Sequence, residues 1–193
     1  SGRGTNMQAL IDACSDPAFP AEIALVISNR PAAGGLARAQ RAGVATLTIP
    51  HGDFPDRAAF DDAVDMALRA AGVELVCLAG FMRLLSPAFV EGWGDRIVNI
   101  HPSLLPAFKG AHAHADALAA GVRLSGCTVH IVRPAMDDGP ILVQAAVPQA
   151  ERWDEAHEAL ARLEPELRDE LGDDHRLTGF ALEGLGRCRL HAD

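Results

Sequence analysis

The 193-residue sequence has no apolar run approaching the roughly 20 residues that a membrane-spanning helix requires, and no secretory signal pattern. A cytoplasmic protein with no membrane partner is therefore expected. Basic residues are scarce: 17 Lys and Arg stand against 26 Asp and Glu, giving a net charge of -9 with histidine neutral. This balance argues against a general nucleic-acid binder, whose attraction for phosphate needs clustered cations. It leaves room for a local anion site built from backbone N–H groups. The four cysteines, Cys14, Cys77, Cys127 and Cys188, are widely separated and form no C-x-x-C pair. That argues against disulfides or a cysteine metal site, and Cys77 and Cys127 read as small core residues in apolar runs. No Gly-Lys-Ser/Thr ending marks a Walker loop, and no complete G-x-G-x-x-G marks a dinucleotide fingerprint. Neither an internal repeat nor a low-complexity linker divides the chain, so residues 1–193 read as a single domain.

What is present is an ordinary globular composition, 49% hydrophobic and 22% charged, with enough apolar material for a sizeable core. Short β-rich runs alternate with Ala- and Leu-rich stretches. Strands are expected at 22–29, 44–49, 73–79, 96–100, 127–132 and 141–147, and helices at 7–14, 36–42, 57–71 and 112–120. The early strands are nearly continuous apolar runs, as in a sheet covered on both faces. The alternation predicts an α/β fold, doubly wound around a mostly parallel sheet. Gly139-Pro140 separates the last two strands so closely that a late antiparallel pair is expected. The glycine-containing opening at 1–6 would ordinarily follow a first strand in such a fold. No strand stands before it, and Ser1 in place of Met suggests a trimmed chain. Without that strand the sheet is short of a central member and exposes apolar edges.

Candidate chemistry concentrates in a few segments. Asn99-Ile100-His101-Pro102-Ser103-Leu104-Leu105-Pro106 ends a strand, and ligands gather outside the carboxyl ends of strands in an open α/β sheet. Alternation places Asn99 and His101 on one face and Ile100 on the other. An amide beside an imidazole can stabilise negative charge developing on an oxygen; a hydrogen-bonded histidine at a strand end is the plainer alternative. Met136-Asp137-Asp138-Gly139-Pro140 is a turn in which a carboxylate could orient an imidazole and hold it cationic, or simply form an Asx turn. Gly2-x-Gly4-Thr5-Asn6 precedes a helix, whose first N–H groups attract phosphate. Residues 78–85 set apolar side chains beside exposed backbone amides, which suits a flat heteroaromatic ligand or plain strand-to-helix packing. His112 and His114 supply only two ligands, so no metal site is expected there.

In this order, and over residues 1 to about 148, Ser-Gly-Arg-Gly-Thr-Asn (1–6), Leu-Ala-Gly-Phe-Met-Arg (78–83), the 99–106 motif and Met-Asp-Asp-Gly-Pro (136–140) resemble the formyltransferase superfamily. The 99–106 motif is shared among its branches. The opening and Ala107-Phe108-Lys109-Gly110-Ala111-His112 look most like the glycinamide ribonucleotide branch. The methionyl-tRNA branch usually carries a tRNA-binding domain and the deformylase branch an N-terminal regulatory domain, and neither is found in this sequence.

The resemblance implies a Rossmann-like enzyme that moves a formyl group from formyl-tetrahydrofolate, its co-substrate, to the amine of glycinamide ribonucleotide in de novo purine biosynthesis. No metal is implied. Asn99 and protonated His101 would hold the tetrahedral oxyanion, and Asp137 rather than Asp138 would keep His101 charged and relay protons. Gly4, Thr5 and Asn6 would cradle the substrate phosphate. Gly80, Met82, Arg83, Leu85, Ile100, Pro102, Val132 and Met136 would line the substrate and folate pocket, Arg83 through its backbone. Small-molecule substrates are the implied partners, with a monomer or homodimer as the assembly.

Residues 149–193 depart from the family pattern. The charge-rich stretch 155–171, interrupted by Pro165, reads as an amphipathic helix on the domain's flank. The family's Glu-His pair followed shortly by Tyr-Pro has no full counterpart, because the sequence contains no tyrosine. Its nearest match is Asp174-His175, which makes Asp174 the candidate substrate contact with one methylene less reach. Two other readings stay open: a formyltransferase for another amine such as an amino sugar nucleotide, and a non-catalytic folate- or nucleotide-binding relative.

Overall fold

The computed structural model describes residues 4–148. The expected helix at 155–171 and Asp174 lie outside the described residues. The elements run α1 (Thr5–Ala13), β1 (Val26–Ser28), α2 (Gly34–Arg41), β2 (Thr46–Thr48), a 3-10 turn (His51–Asp53), α3 (Arg57–Ala70), β3 (Val76–Leu78), α4 (Pro87–Trp93), β4 (Ile97–His101), α5 (Ala113–Ala119), β5 (Leu124–Ile131) and β6 (Ile141–Pro148). The alternating α/β architecture expected from the sequence is the one observed. Helix α4 was not expected, although its start is written locally. The Ser86 hydroxyl accepts the Phe89 N–H, Pro87 opens the first turn and Gly94 ends the helix at φ 60°. The buried Asp61 of α3 accepts the Ser86 N–H at 2.5 Å and so ties α3 to the start of α4.

The strands form two ladders. β1 pairs parallel with β2. In the other ladder β3 pairs parallel with β4, while β4–β5 and β5–β6 are antiparallel. Antiparallel pairing thus covers the expected late pair and reaches one strand further in. One core cluster lies on the β4–β5–β6 face, around Val98, Cys127, Val129, Ile131, Val143 and Ala145. A second joins Leu68 of α3, Phe89, Val90 and Trp93 of α4, and the β3–β4 residues Val76 and Ile97. A third joins Met7 and Ile11 of α1 to Ala39 of α2. Burial pushes the Cys127 thiol up to about 11, in keeping with an inert core residue. Among the described residues no helix is long and apolar enough to cross a membrane.

β1 is shorter than its apolar run because, among the described residues, only Val26–Ser28 find a ladder partner. Between β1 and β3 lies a cavity of about 620 Å³, bordered by Val26 and Ile27 on one side and Val76 and Cys77 on the other.

Candidate active site

Antiparallel pairing of β4 with β5 sets Asn99 opposite His130 and His101 opposite Thr128. Alternation sends these four side chains to one face. Their neighbours Val98, Ile100, Val129 and Ile131 go to the other, where they pack in or against the core. Asp137 reaches the same place from the β5–β6 connection.

His101 is 4% exposed. Its Nε2 lies 2.8 Å from the Phe108 carbonyl, which can only accept, so this nitrogen carries a proton. Its Nδ1 faces Asp137 Oδ2 at 3.4 Å. A doubly protonated imidazolium therefore finds an acceptor at each nitrogen. Asp137 Oδ2 also accepts the Gly110 N–H at 2.8 Å, and its Oδ1 lies 3.7 Å from His130 Nε2. Phe108 (φ 55°) and Asp137 (φ 51°) both adopt left-handed backbone without being glycine. Such strain costs of order 1–3 kcal/mol per residue and gathers at functional sites. Here it flanks His101 on both sides.

His130 is the residue that sequence reasoning missed. It is 2% exposed, and its Nδ1–H donates to the Ile131 carbonyl at 3.0 Å. That leaves the Nε2 lone pair to accept from Asn99 Nδ2 at 3.2 Å. Burial, the largest influence, pulls its pKa below the ordinary histidine value, against the opposing pull of the Ile131 carbonyl and of Asp137. A neutral His130 thus fixes the Asn99 amide with its nitrogen toward Nε2. The sequence held a signal: Thr128 and His130 are the polar members of the alternating run Cys127-Thr128-Val129-His130-Ile131.

The remaining candidates stand around this centre or at the other ladder. Leu78 is the register partner of Asn99, so the 79–85 loop leaves the sheet beside His101. It turns at Gly80 (φ 67°), exposes Met82 (64%) and lays the Arg83 guanidinium 5.8 Å over the Phe60 ring. Leu85 and Val132 pack against the cluster around Trp93, and Pro102 is half-buried. Met136 is exposed and lies over Gly110, where an added Cβ would stand 3.5 Å from its Cε. Gly4 is the left-handed N-cap of α1, with Thr5 and Asn6 in the first turn. A Cβ on Gly4 would lie 2.6 Å from Gly35 Cα, so the N-termini of α1 and α2 converge. Gly35, too, escaped the sequence reading. Among the described residues no three His, Cys, Asp or Glu side chains gather as a metal site.

Residues 1–167 match the family model described as Formyl transferase. The chain belongs to the formyl transferase family. It is 45% identical over 148 residues to the phosphoribosylglycinamide formyltransferase of Escherichia coli, covering 77% of this chain and 70% of that protein. It is 54% identical over 148 residues to the trifunctional purine biosynthetic protein adenosine-3 of Gallus gallus, of whose length it spans only 15%. Among solved structures, glycinamide ribonucleotide transformylase 1 from Symbiobacterium toebii superposes with a TM-score of 0.78 at 45% identity, covering 100% of this chain and 87% of that one. The Brucella melitensis phosphoribosylglycinamide formyltransferase gives 0.75 at 47% identity, with 100% and 95% covered.

In this member of the formyl transferase family the loop after His101 is held from beneath by two side chains. Thr128 Oγ1 donates to the Ser103 carbonyl at 2.7 Å and accepts the Leu105 N–H at 3.0 Å. Gln144 Nε2 donates to the Leu105 carbonyl at 2.8 Å and to Thr128 Oγ1 at 2.9 Å. Ser103 Oγ in turn donates to the Ala107 carbonyl at 2.6 Å. The turn that presents the Phe108 carbonyl to His101 therefore rests on side chains of β5 and β6.

Proposed function

We propose that this chain transfers the formyl group of formyl-tetrahydrofolate to the amine of glycinamide ribonucleotide in de novo purine biosynthesis. The observation that carries the reading is the meeting of an amide, an imidazole and a carboxylate, Asn99, His101 and Asp137, in a member of the formyl transferase family. The neutral amine attacks the formyl carbon and a C–N bond forms. The carbonyl electron pair moves onto oxygen, giving a tetrahedral oxyanion. Its collapse breaks the bond from carbon to the folate nitrogen, which gains a proton as the amine loses one. The Asn99 Nδ2 group and the His101 Nε2–H donate to the oxyanion. His101 does so as the formyl oxygen takes the place of the Phe108 carbonyl, while Nδ1 stays on Asp137. Asp137 holds the imidazolium and passes the amine's proton onward through water.

Gly4, Thr5 and Asn6 cradle the substrate phosphate where two helix N-termini converge. Gly80, Met82, Arg83, Pro102 and Met136 line the substrate and folate pocket. Leu85, Ile100 and Val132, whose side chains pack inward, contribute backbone. Asp174 supplies a contact to the substrate. Residues 1–193 act as one domain with small-molecule partners, in the cytoplasm, as a monomer or homodimer and without a metal. The test is turnover, followed by the folate's absorbance change, with glycinamide ribonucleotide and in parallel with an amino sugar nucleotide. Turnover with glycinamide ribonucleotide alone is expected. Turnover with the amino sugar nucleotide alone would overturn the substrate, and none with either would overturn the reading.

A further inference from the structure

We propose that Lys109 and Asp138 form an electrostatic latch between the two loops that flank His101, a pair of positioning residues that keeps the Phe108 carbonyl and the Asp137 carboxylate in place and makes turnover sensitive to ionic strength. The inference rests on the reading of Asn99, His101 and Asp137 as a formyl-transfer site. Lys109 Nζ donates to Asp138 Oδ1 at 2.5 Å and joins residues 29 apart in sequence. Each partner directly follows a residue that touches the imidazole. Phe108 presents its carbonyl to His101 Nε2, and Asp137 presents its carboxylate to Nδ1. On the other side of Lys109, the Gly110 N–H donates to Asp137 Oδ2 at 2.8 Å. The two segments are thus stitched at successive positions, Lys109 to Asp138 and Gly110 to Asp137.

The backbone explains why such a latch matters. Phe108 and Asp137 sit in the left-handed region at φ 55° and 51°, a conformation that persists only where the surroundings over-determine it. No ladder supports either residue: β4 ends at His101 before α5 begins at Ala113, and β5 ends at Ile131 before β6 begins at Ile141. The Gly110 bond uses the same carboxylate oxygen that faces His101, so it is lost whenever Asp137 turns. The Lys109–Asp138 pair does not depend on that carboxylate. Arg133, the other cation of the β5–β6 connection, is engaged by Asp95 at 2.6 Å, which leaves Asp138 to Lys109. Lys109 is also the only lysine in the sequence. Its hydrogen bond and charge hold the Asp138 carboxyl below the usual carboxylate range, so both partners are ionised at neutral pH. The Asp138 side chain is 61% exposed. An ion pair so open to water is modest in strength and screened by salt, which suits a local latch rather than a support of the whole fold.

The experiment compares the 193-residue chain with Lys109→Met, with Asp138→Asn, and with the exchanged pair that combines Lys109→Asp and Asp138→Lys. Two quantities are read at low salt and at about 0.5 M salt: kcat for formyl transfer, and amide exchange at Gly110, whose bond to Asp137 reports the junction without any turnover. At low salt each single substitution should speed Gly110 exchange and lower kcat by about threefold, the scale of an exposed ion pair, with the melting temperature unchanged. The exchanged pair should recover both. Added salt should move the parent toward the single variants and leave those variants unaffected. Acetylation of the single lysine, which removes its charge, should reproduce Lys109→Met, while reductive dimethylation, which keeps the charge, should not. Single variants that match the parent in Gly110 exchange, or an exchanged pair no better than either, would overturn the latch. Faster exchange with unchanged kcat would overturn its positioning role. A latch seen in Gly110 exchange, in a parent that turns over no glycinamide ribonucleotide, would support the pairing and overturn the assigned reaction instead.

Discussion

Phenylalanine in place of His130 fills nearly the same buried space but gives Asn99 no acceptor and the Ile131 carbonyl no donor. Two hydrogen bonds are lost, each with a net value of roughly 0.5–1.5 kcal/mol, so stability should fall by about 1–3 kcal/mol. For a chain of this size that is a drop in melting temperature of roughly 3–10 °C. The larger consequence is for Asn99, whose amide is free to turn. Weakening one oriented donor by about 1.4 kcal/mol lowers kcat tenfold, while KM for both substrates stays within about twofold. His130→Gln keeps an acceptor and a donor and should recover most of the loss. The pH dependence follows from burial holding the His130 pKa below its ordinary value. Above pH ~6.5 the ring is neutral in the folded and unfolded chain alike. As pH falls below that value the unfolded chain takes the proton first, so stability drains until the folded-state pKa is passed. His130→Phe should lose less stability than the parent across that acid interval. A kcat within twofold of the parent, with an unchanged acid profile, would refute the claim that His130 orients Asn99.

Asp137→Asn can still accept the Gly110 N–H but removes the charge beside His101; turnover should fall by roughly 10²–10⁴ with the near-UV circular dichroism unchanged, and near-parental turnover would count against the relay. Thr128→Val leaves the Ser103 carbonyl, the Leu105 N–H and Gln144 without their shared partner at a fully buried site. Urea unfolding should show a loss of about 2–4 kcal/mol, and a loss below about 1 would mean that this hydroxyl does not anchor the loop. Gly126→Ala places a Cβ 1.9 Å from the Ala145 carbonyl oxygen, so β5 and β6 must part; a loss of about 3 kcal/mol or more is expected, and a parental melting temperature would contradict the register.

The grouping of Asn99, His101 and Asp137 at the candidate site was largely legible because most of it is local in sequence. Asn99 and His101 are two apart on one strand, and Asp137 sits in a turn whose glycine and proline announce it. His130 was harder, because its role comes from a cross-strand register 31 residues away in sequence, which hydrophobic pattern alone does not specify. Gly35 was hidden for the same reason: its importance lies in contact with Gly4, across a helix and a strand. Helix α4 was written in Ser86-Pro87, but seven residues are too few for periodicity to show. The run at 22–29 shows the opposite limit. An apolar stretch records that a segment is buried, but ladder bonds depend on which neighbours are present, and among the described residues β1 finds one only on its β2 side.

The central claim is that His101, held between Asp137 and the Phe108 carbonyl, becomes an oxyanion donor during formyl transfer. Its most direct test is the formyl-transfer rate of His101→Ala against the parent, with glycinamide ribonucleotide and formyl-tetrahydrofolate both saturating. Loss of at least about a hundredfold in kcat, the usual scale for removing such a donor, is the predicted result. Turnover within a few-fold of the parent would contradict the account, leaving the reaction in place but its centre elsewhere.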